Sequence, residues 1–336
     1  MKKVFLLEQV SAIDAAQWNA LTSSSSVASF FQTKECYDFF CSLSFVEAFG
    51  LGVQEDGILK GVIVGYIQKD GGRLKQFFSR RAIINGGPLL ADDISEQALR
   101  VLLSGCYTQL KKKAIYVESR NFNDYSRWKT VFAENNFQYE PHYDFQIDTS
   151  TKEIIETNLG KSRKRDVRTS FREGVAAGEA SSFSEVKELY SILQELYRTK
   201  VKTPLFPLEF FQRLFESDFA KTIVVRYGEK VIGGTVCVVL EKRTMYEWFA
   251  CGEDGRYKNI FPSTVATYSG ICCAAEQGCS CFDMMGAGRP GDGGYGVRDF
   301  KAKFGGKLVE HGRFRCVCSK PLFALGSLGV KIMKRK

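Results

Sequence analysis

The chain alternates between short runs of apolar residues and longer stretches in which apolar positions recur every three or four residues. The short runs predict β-strands, and the longer stretches predict amphipathic helices. The turn dipeptides Asp56-Gly57 and Gly228-Glu229 each separate two predicted strands, so each marks a hairpin. The pattern therefore predicts a protein of the α+β class.

The second half of the chain repeats the order of elements in the first half. The predicted hairpin strands are residues 49–54, 59–67, 222–227 and 231–240. After each hairpin comes a further strand, then a helix that leads into another strand. These helices are predicted at 94–111 and 263–277, and the strands that follow them at 114–118 and 279–285. An internal repeat of this length predicts two similar lobes.

We expect the N-terminal lobe to span residues 1–150 and the C-terminal lobe to span residues 151–320, with a basic tail at 321–336. Hairpins outnumber helix-linked strands in both lobes. This predicts mixed, mostly antiparallel sheets rather than a doubly wound parallel sheet.

Composition is that of a globular protein, with 336 residues of which 44% are hydrophobic. No apolar run approaches the roughly 20 residues that span a bilayer. Glu8 interrupts the first apolar run, so we expect no signal peptide and a cytoplasmic location. The 11 cysteines are spread along a long chain, which favours free thiols, and their spacing predicts no metal site.

The net charge of +9 is concentrated in two segments. Residues 161–173 contain six basic and two acidic residues, and residues 320–336 contain five basic residues and no acid. Both segments predict an anionic partner, and charge alone leaves nucleic acid, a phosphorylated small molecule and an anionic membrane open. Apolar residues precede the basic end of the tail, which predicts peripheral contact with the inner face of the membrane; docking on its own lobe is the alternative.

A glycine-rich segment follows the predicted strand 279–285. Gly286, Gly288 and Gly291 fit the spacing G-x-G-x-x-G, but Pro290 and the further glycines exclude the helix that a dinucleotide site requires. A substrate-covering loop and a plain surface loop both remain open.

Residues 297–304 predict a short helix after this segment. Its aromatic residues, Phe300 and Phe304, are four apart and therefore share the face that turns to the core. The same helix would hold Lys301 near the glycine-rich segment, where an ammonium group stabilises an oxyanion or binds phosphate.

Residues 252–306 resemble the FemAB family. The matching pattern is an Asn and a Pro or Ser before a helix, then A-x-x-x-G, a strand with F-D, a glycine-rich loop and F-K-x-x-F-G-G. Weaker matches are the basic segment at 161–174 and Asn-Gly-Gly-Pro at 85–88. The family comprises non-ribosomal peptidyltransferases that add amino acids to peptidoglycan precursors. The resemblance implies two tandem GCN5-acetyltransferase-like (GNAT) lobes.

The resemblance implies transfer of an acyl group to an amine, with a co-substrate and no bound cofactor. The donor is commonly aminoacyl-tRNA, and the acceptor is a nucleotide- or lipid-linked muramyl peptide. We assign Lys301 to oxyanion stabilisation because it stands in F-K-x-x-F-G-G. Asp283 and Asp299 are the candidate bases, and the alternative for Asp283 is that it caps the loop through backbone N–H groups.

The candidate substrate-binding residues are of three kinds. The phosphate-binding candidates are Lys34, Arg163 and Arg165. The acceptor-site candidates are Tyr257 and Asn259. The loop glycines are Gly286 and Gly288. The arginines of the basic segment are at helical spacing, so they would align on one face and suit phosphate.

The sequence leaves the acyl donor open. Residues 185–219 contain Pro204 and Pro207 and no long heptad run, so the coiled-coil arm of some tRNA-dependent relatives is missing. Residues 255–261 lack the R/Q-x-x-G-x-G/A pattern that binds the pyrophosphate of acyl-CoA. The alternatives to aminoacyl transfer are an acyl-CoA-dependent N-acyltransferase acting on an amino sugar of a cell-surface polysaccharide, and a non-catalytic protein that binds an anionic glycan precursor.

Overall fold

The computed structural model describes residues 2–68, 79–291 and 296–326. These residues form two units. The first comprises the chain up to Pro141 together with the described residues from His311 onward, and the second is His142–Glu310. Each unit contains one β-sheet with helices packed against it.

The strands and helices are numbered separately along the chain. The strands are β1 (Val4–Leu7), β2 (Val46–Glu55), β3 (Ile58–Gln68), β4 (Arg81–Gly86), β5 (Leu89–Leu90), β6 (Tyr116–Asn121), β7 (Gln138–Glu140), β8 (Tyr143–Asp148), β9 (Val175–Glu179), β10 (Ala220–Tyr227), β11 (Lys230–Leu240), β12 (Thr244–Gly252), β13 (Cys281–Asp283), β14 (Lys307–Glu310) and β15 (Arg313–Val317). The helices are α1 (Ala15–Ser24), α2 (Lys34–Cys41), α3 (Glu96–Leu110), α4 (Lys129–Glu134), α5 (Lys152–Asn158), α6 (Lys161–Arg172), α7 (Phe183–Leu196), α8 (Leu208–Phe215), α9 (Pro262–Glu276) and α10 (Gly296–Ala302).

The sheet of the first unit has the strand order β1-β2-β3-β4-β6-β15-β7, and β5 pairs with β3. Its β4 and β6 are parallel and stay paired over six residues each, from Arg81 opposite Tyr116 to Gly86 opposite Asn121. Helix α3 begins at the cap residue Ser95, whose hydroxyl accepts a hydrogen bond from the Ala98 N–H. Its apolar face packs on β2 and β3 and is buried there.

The sheet of the second unit has the strand order β14-β8-β13-β12-β11-β10-β9, in which only β12 and β13 are parallel among the described strands. Helix α9 starts with Pro262, whose missing N–H costs nothing in the first turn. This helix packs on β11 and β12, and Ile271 contributes to a core that also includes Met245 and Phe282.

The structure confirms the predicted α+β class with two tandem lobes and mixed, mostly antiparallel sheets. The division of the chain into two units differs from the predicted boundaries of the lobes in the placement of two strands. β8 lies before residue 151 but belongs to the second unit, and β15 lies before residue 320 but belongs to the first. Both strands pair with residues more than a hundred positions away, and a local pattern does not reveal such partners.

Two predictions fall on residues that are not described. They are the turn and the further strand that the sequence predicts after the first hairpin, at 70–78, and the part of the predicted tail from residue 327 onward. Residues 320–326 are helical, and the Phe323 ring lies 5.5 Å from the ring of Tyr116 in the same unit. Among the described residues, no helix has the length and hydrophobicity needed to cross a bilayer.

We expect Gly234→Ala to destabilise the second unit. A Cβ atom at Gly234 in β11 would lie 2.4 Å from the Ile223 carbonyl oxygen and 2.9 Å from Leu189 Cδ1. Overpacking of this kind costs about 1–3 kcal/mol of unfolding free energy. Urea denaturation measures the loss. The control is Gly178→Ala in β9, where the added Cβ would lie 3.8 Å from Arg226 Nη1, an ordinary contact; equal midpoints for the two variants would contradict the expectation.

Candidate active site

Strands β12 and β13 separate partway along their length. They pair from Thr244 opposite Cys281 to Tyr246 opposite Asp283, whereas β12 continues to Gly252 and stays paired with β11. The register between β11 and β12 shifts at Trp248, which has no opposite residue. A bulge increases local twist and bends a strand. Beyond Tyr246, therefore, the pairing of β12 with β13 has ended, next to a bulge in β12.

Helix α10 brings Lys301 to the turn that follows β13. The Lys301 Nζ donates hydrogen bonds to the carbonyl oxygens of Met284, of Met285 at 3.4 Å and of Gly286 at 2.8 Å. The lysine is only 9% exposed. A buried ammonium requires such acceptors, and these three carbonyls supply them.

Two aspartates bind the N–H groups of the same turn. Asp283 Oδ1 accepts from the Met285 N–H at 2.9 Å, and Asp144 Oδ1 accepts from the Gly286 N–H at 2.8 Å. Burial raises the pKa of Asp283 well above its ordinary value, and the neighbouring Asp144 raises it further. The turn is thus held by carboxyl groups on its donor side and by Lys301 on its acceptor side.

Glu247 is the first residue of β12 beyond the point of separation. Its buried carboxyl accepts hydrogen bonds from the hydroxyl of Thr267 at 2.8 Å and from that of Thr235 at 3.3 Å. Burial raises the pKa of Glu247, and the charge of Lys301 acts in the opposite direction without cancelling the effect. A carboxyl of raised pKa exchanges protons closer to neutral pH than an ordinary glutamate.

Arg163 of α6 connects this region to helix α9. Its guanidinium lies 4.4 Å from the ring centre of Phe300 and 5.2 Å from that of Phe304. One nitrogen, Nη1, donates to the Thr264 hydroxyl at 3.1 Å. Burial lowers the pKa of Arg163, and Asp166 counteracts that effect. The arginine therefore packs between two helices instead of pointing into solvent.

Residues 161–302 match the family model described as the acetyltransferase (GNAT) domain. The matched range contains the separating strands, Glu247 and Lys301. The match covers most of the second unit, which is called the GNAT domain below.

The fold of the whole chain is also similar to solved structures. The crystal structure of FemX has a TM-score of 0.71 and 13% sequence identity, and the match covers 96% of this chain and 99% of that one. The structure of L-PGS from Bacillus licheniformis has a TM-score of 0.56 at 14% identity, covering 94% and 96%. A tandem GNAT protein from the clavulanic acid biosynthesis pathway has a TM-score of 0.59 at 7% identity, covering 95% and 99%. At these identities the likeness shows the fold, and no curated protein sequence matches the chain.

The N-terminus of α9 in the GNAT domain is already hydrogen bonded within the protein. The Ser263 N–H donates to Asp254 Oδ1 at 3.1 Å, and the Phe261 N–H donates to Ser170 Oγ at 3.0 Å. Pro262 has no N–H to offer. Helix N-termini bind anions through free N–H groups, and here a carboxylate of the chain itself takes that position.

The structure brings several predicted site residues of the GNAT domain together. Asp283, Gly286 and Lys301 meet at one turn, and Arg163 packs on the helix that carries Lys301. Gly288 continues the same segment, and its carbonyl accepts from the Tyr143 N–H at 2.8 Å. Among the described residues, no group of three metal-ligating side chains occurs.

Other predicted site residues of the GNAT domain lie apart from this turn. Asp299 is exposed on α10, and the exposed Arg165 donates to Asp166 Oδ1 at 2.9 Å. Tyr257 and Asn259 occupy the segment between β12 and α9, where their side chains hydrogen bond to glutamates.

Lys34 belongs to the first unit. It lies near the start of α2, where it forms an ion pair with Asp38 at a nitrogen–oxygen distance of 2.6 Å.

Glu247 and the threonines around it were not among the site residues predicted from the sequence. Glu247 is an acidic residue in an otherwise apolar strand, and Thr264 and Thr267 are three apart in an apolar helix, so both patterns carried a signal. Asp144 offered none, because it precedes its partner Gly286 by 142 positions.

We expect Arg163→Ala to lower the unfolding free energy of the GNAT domain by about 1–3 kcal/mol, because it removes a buried hydrogen bond and the contact with two aromatic rings. Arg165→Ala is the control: its side chain is 73% exposed, so its removal should change stability by no more than about 0.5 kcal/mol. Urea denaturation checks both. An equal effect of the two substitutions would contradict this account of Arg163.

Proposed function

We propose that the GNAT domain transfers an aminoacyl group to an amine of a peptidoglycan precursor. The observation that carries the proposal is that the domain buries both a cation, Lys301, and a carboxyl, Glu247, whose charges interact, in the region where the pairing of β12 with β13 ends. Amide formation from an ester requires a positive charge for the oxyanion and an acceptor for the proton of the amine. This region of the domain offers both groups.

Lys301 acts on the carbonyl of the donor. The lone pair of the attacking amine forms a bond to the carbonyl carbon, and the carbonyl oxygen becomes negatively charged. Of the three hydrogen bonds of Lys301, the one to Met285 at 3.4 Å is long and weak, so that N–H can turn to the oxyanion. The two remaining carbonyls keep the ammonium in place.

Glu247 acts on the proton. The attacking nitrogen becomes an ammonium and loses a proton to the Glu247 carboxylate, directly or through one water. When the intermediate collapses, the bond from the carbonyl carbon to the ribose oxygen breaks, and that oxygen receives the proton. The carboxylate is thereby restored, and no other reactant is required.

The N-terminus of α9 supports aminoacyl-tRNA over acyl-CoA as the donor. A CoA pyrophosphate placed there would meet the carboxylate of Asp254 and would have to displace it from the Ser263 N–H. An aminoacyl ester on a ribose carries no pyrophosphate at that position.

The exposed face of α6 supports an acceptor that carries phosphate. It includes the exposed cations Lys161, Arg165, Arg168 and Arg172. A nucleotide- or lipid-linked muramyl peptide has a diphosphate that suits such a face. We retain Lys34 as a phosphate-binding proposal, and Tyr257, Asn259 and Gly288 as residues that shape the acceptor site. Arg163, which is buried between two helices, supports the position of the basic helix instead. Asp299 is retained as the second candidate base.

Acyl-CoA-dependent transfer to an amino sugar is the second candidate function. The match of residues 161–302 to an acetyltransferase family model supports it. The two candidates differ in the donor, so donor binding separates them.

We expect Lys301→Met to reduce kcat by at least about 100-fold, the usual effect of removing an oxyanion-stabilising group. Aminoacyl transfer from charged tRNA to a UDP-muramyl pentapeptide is the assay. Lys303→Met, two residues further on and exposed, is the control and should retain activity. Circular dichroism establishes that both variants fold. Unchanged turnover of a folded Lys301→Met would remove this lysine from the mechanism.

We expect acetyl-CoA to bind the unmodified protein weakly. It should bind the Asp254→Ala variant several-fold more tightly, because the substitution frees the Ser263 N–H and removes a negative charge. Isothermal titration calorimetry measures both affinities. Micromolar binding of acetyl-CoA by the unmodified protein, with no gain in the variant, would favour the CoA-dependent function instead.

A further inference from the structure

Two buried carboxyl groups lie side by side beneath the turn that holds Lys301. Asp283 has no exposed surface and Asp144 is 4% exposed. Their oxygens accept the N–H groups of two consecutive residues, Met285 and Gly286, so the two carboxyl groups share one small buried site. Two ionised carboxylates in one buried site repel each other, which favours a state in which one of the two groups is protonated.

The pair controls the backbone of the turn. Asp283 accepts the Met285 N–H, and Asp144 accepts the Gly286 N–H. Gln146 of β8 donates to the second oxygen of Asp283 at 3.1 Å. Met285 has a φ of 51°, a left-handed conformation that is unfavourable for a residue with a side chain. The hydrogen bonds to the two aspartates therefore hold the turn in a conformation that it would not adopt unaided.

The same turn presents its carbonyls to Lys301. If either N–H were released, Met285 could relax to a negative φ, and the carbonyls of residues 284–286 would no longer converge on one ammonium. The position of Lys301 thus depends on the two aspartates although neither is recorded in contact with its ammonium.

We propose that Asp283 and Asp144 are positioning residues that together retain one proton and fix the turn at 284–286, so that its carbonyls hold Lys301 in place. This inference rests on the proposed acyl transfer for its activity readout only. It gives Asp283 a positioning role in place of the catalytic base considered from the sequence, and it adds Asp144, which the sequence did not single out.

The surroundings are consistent with a single retained proton. The charged or titratable groups on the elements that flank the pair are Tyr246 of β12, Cys281 of β13, Arg298 and Lys301 of α10, and Lys307 of β14. Asp148 lies at the other end of β8 and is exposed. Burial raises the pKa values of Tyr246 and Cys281, so both are neutral at ordinary pH. Burial likewise raises the pKa of Asp283, which opposes loss of the shared proton.

The retained proton makes stability depend on pH. In the unfolded chain both aspartates ionise near pH 4. Above that pH the folded protein binds one proton more than the unfolded protein, so stability falls as the pH rises, until the pair itself ionises. In the Asp283→Asn variant the amide has the same shape as a protonated carboxyl but has no proton to lose in this pH range. Its oxygen can still accept the hydrogen bond from the Met285 N–H.

The first experiment is urea unfolding of the full chain from pH 5 to pH 8, followed by pulsed hydrogen exchange in peptides that span β12 and β13. We expect the ratio of folded to unfolded protein to fall by up to about tenfold per pH unit in the unmodified protein relative to Asp283→Asn. Asp148→Asn, which alters an exposed carboxyl at the other end of β8, is the control and should follow the unmodified protein. Parallel pH profiles for the unmodified protein and Asp283→Asn would overturn the proposal.

The second experiment measures aminoacyl transfer. We expect Asp283→Ala and Asp144→Ala to lower kcat by at least about tenfold with little change in KM. Asp283→Asn should restore most of the rate. The kcat of the unmodified enzyme should fall at alkaline pH, when the pair loses its proton, and that of Asp283→Asn should not. Wild-type kcat in folded Asp283→Ala would overturn the positioning role. If the unmodified protein transfers no acyl group from any donor, the proposed function fails, and the pH dependence of unfolding still decides whether the pair retains a proton.

Discussion

This site depends on one constraint. Where two parallel strands separate, their backbone N–H and C=O groups lose their hydrogen-bond partners. A buried N–H or C=O must find another partner, because an unmet one costs about as much as a lost hydrogen bond. After β13 the chain meets this requirement with side chains: carboxyl groups bind the N–H groups of the turn, and Lys301 binds its carbonyls. The carboxyl groups and the ammonium that replace the lost backbone partners are thereby concentrated where β12 and β13 separate, and Glu247 is the next residue of β12 beyond that point.

In the first unit the corresponding pair of parallel strands does not separate. Its parallel strands β4 and β6 remain paired over six residues, to the end of β4 at Gly86. The backbone groups facing each other across this pair are therefore used within the sheet. In the second unit the corresponding pairing ends after three residues. The difference supports the proposal that acyl transfer takes place in the second unit, although both units are built from the same order of elements.

Local patterns in the sequence predicted the elements well and the division between the units less well. The predicted strand at 231–240 and helix at 263–277 differ from β11 and α9 by one residue at an end or at both ends, because alternation, Pro262 and the turn at Gly228 act locally. The predicted strand at 279–285 is longer than β13, since the apolar run continues into a turn whose conformation is set by Asp144 and Lys301. The helix with Phe300 and Lys301 was predicted from a four-residue spacing. Glu247 was not, because its importance comes from where β12 leaves its neighbour, which depends on pairing rather than on composition.

The path of the chain also has a consequence for how the protein is made. Strand β15 lies between β6 and β7 in the sheet of the first unit, but it is synthesised after all of the second unit. While the ribosome extends the chain from Pro141 to His311, β6 and β7 are both present and have an empty position between them. The second unit has all of its described strands by Glu310 and can complete its sheet first. The unit that starts first is therefore the one that finishes last, and an unfilled position inside a sheet makes it the more vulnerable of the two to wrong strand pairing during translation.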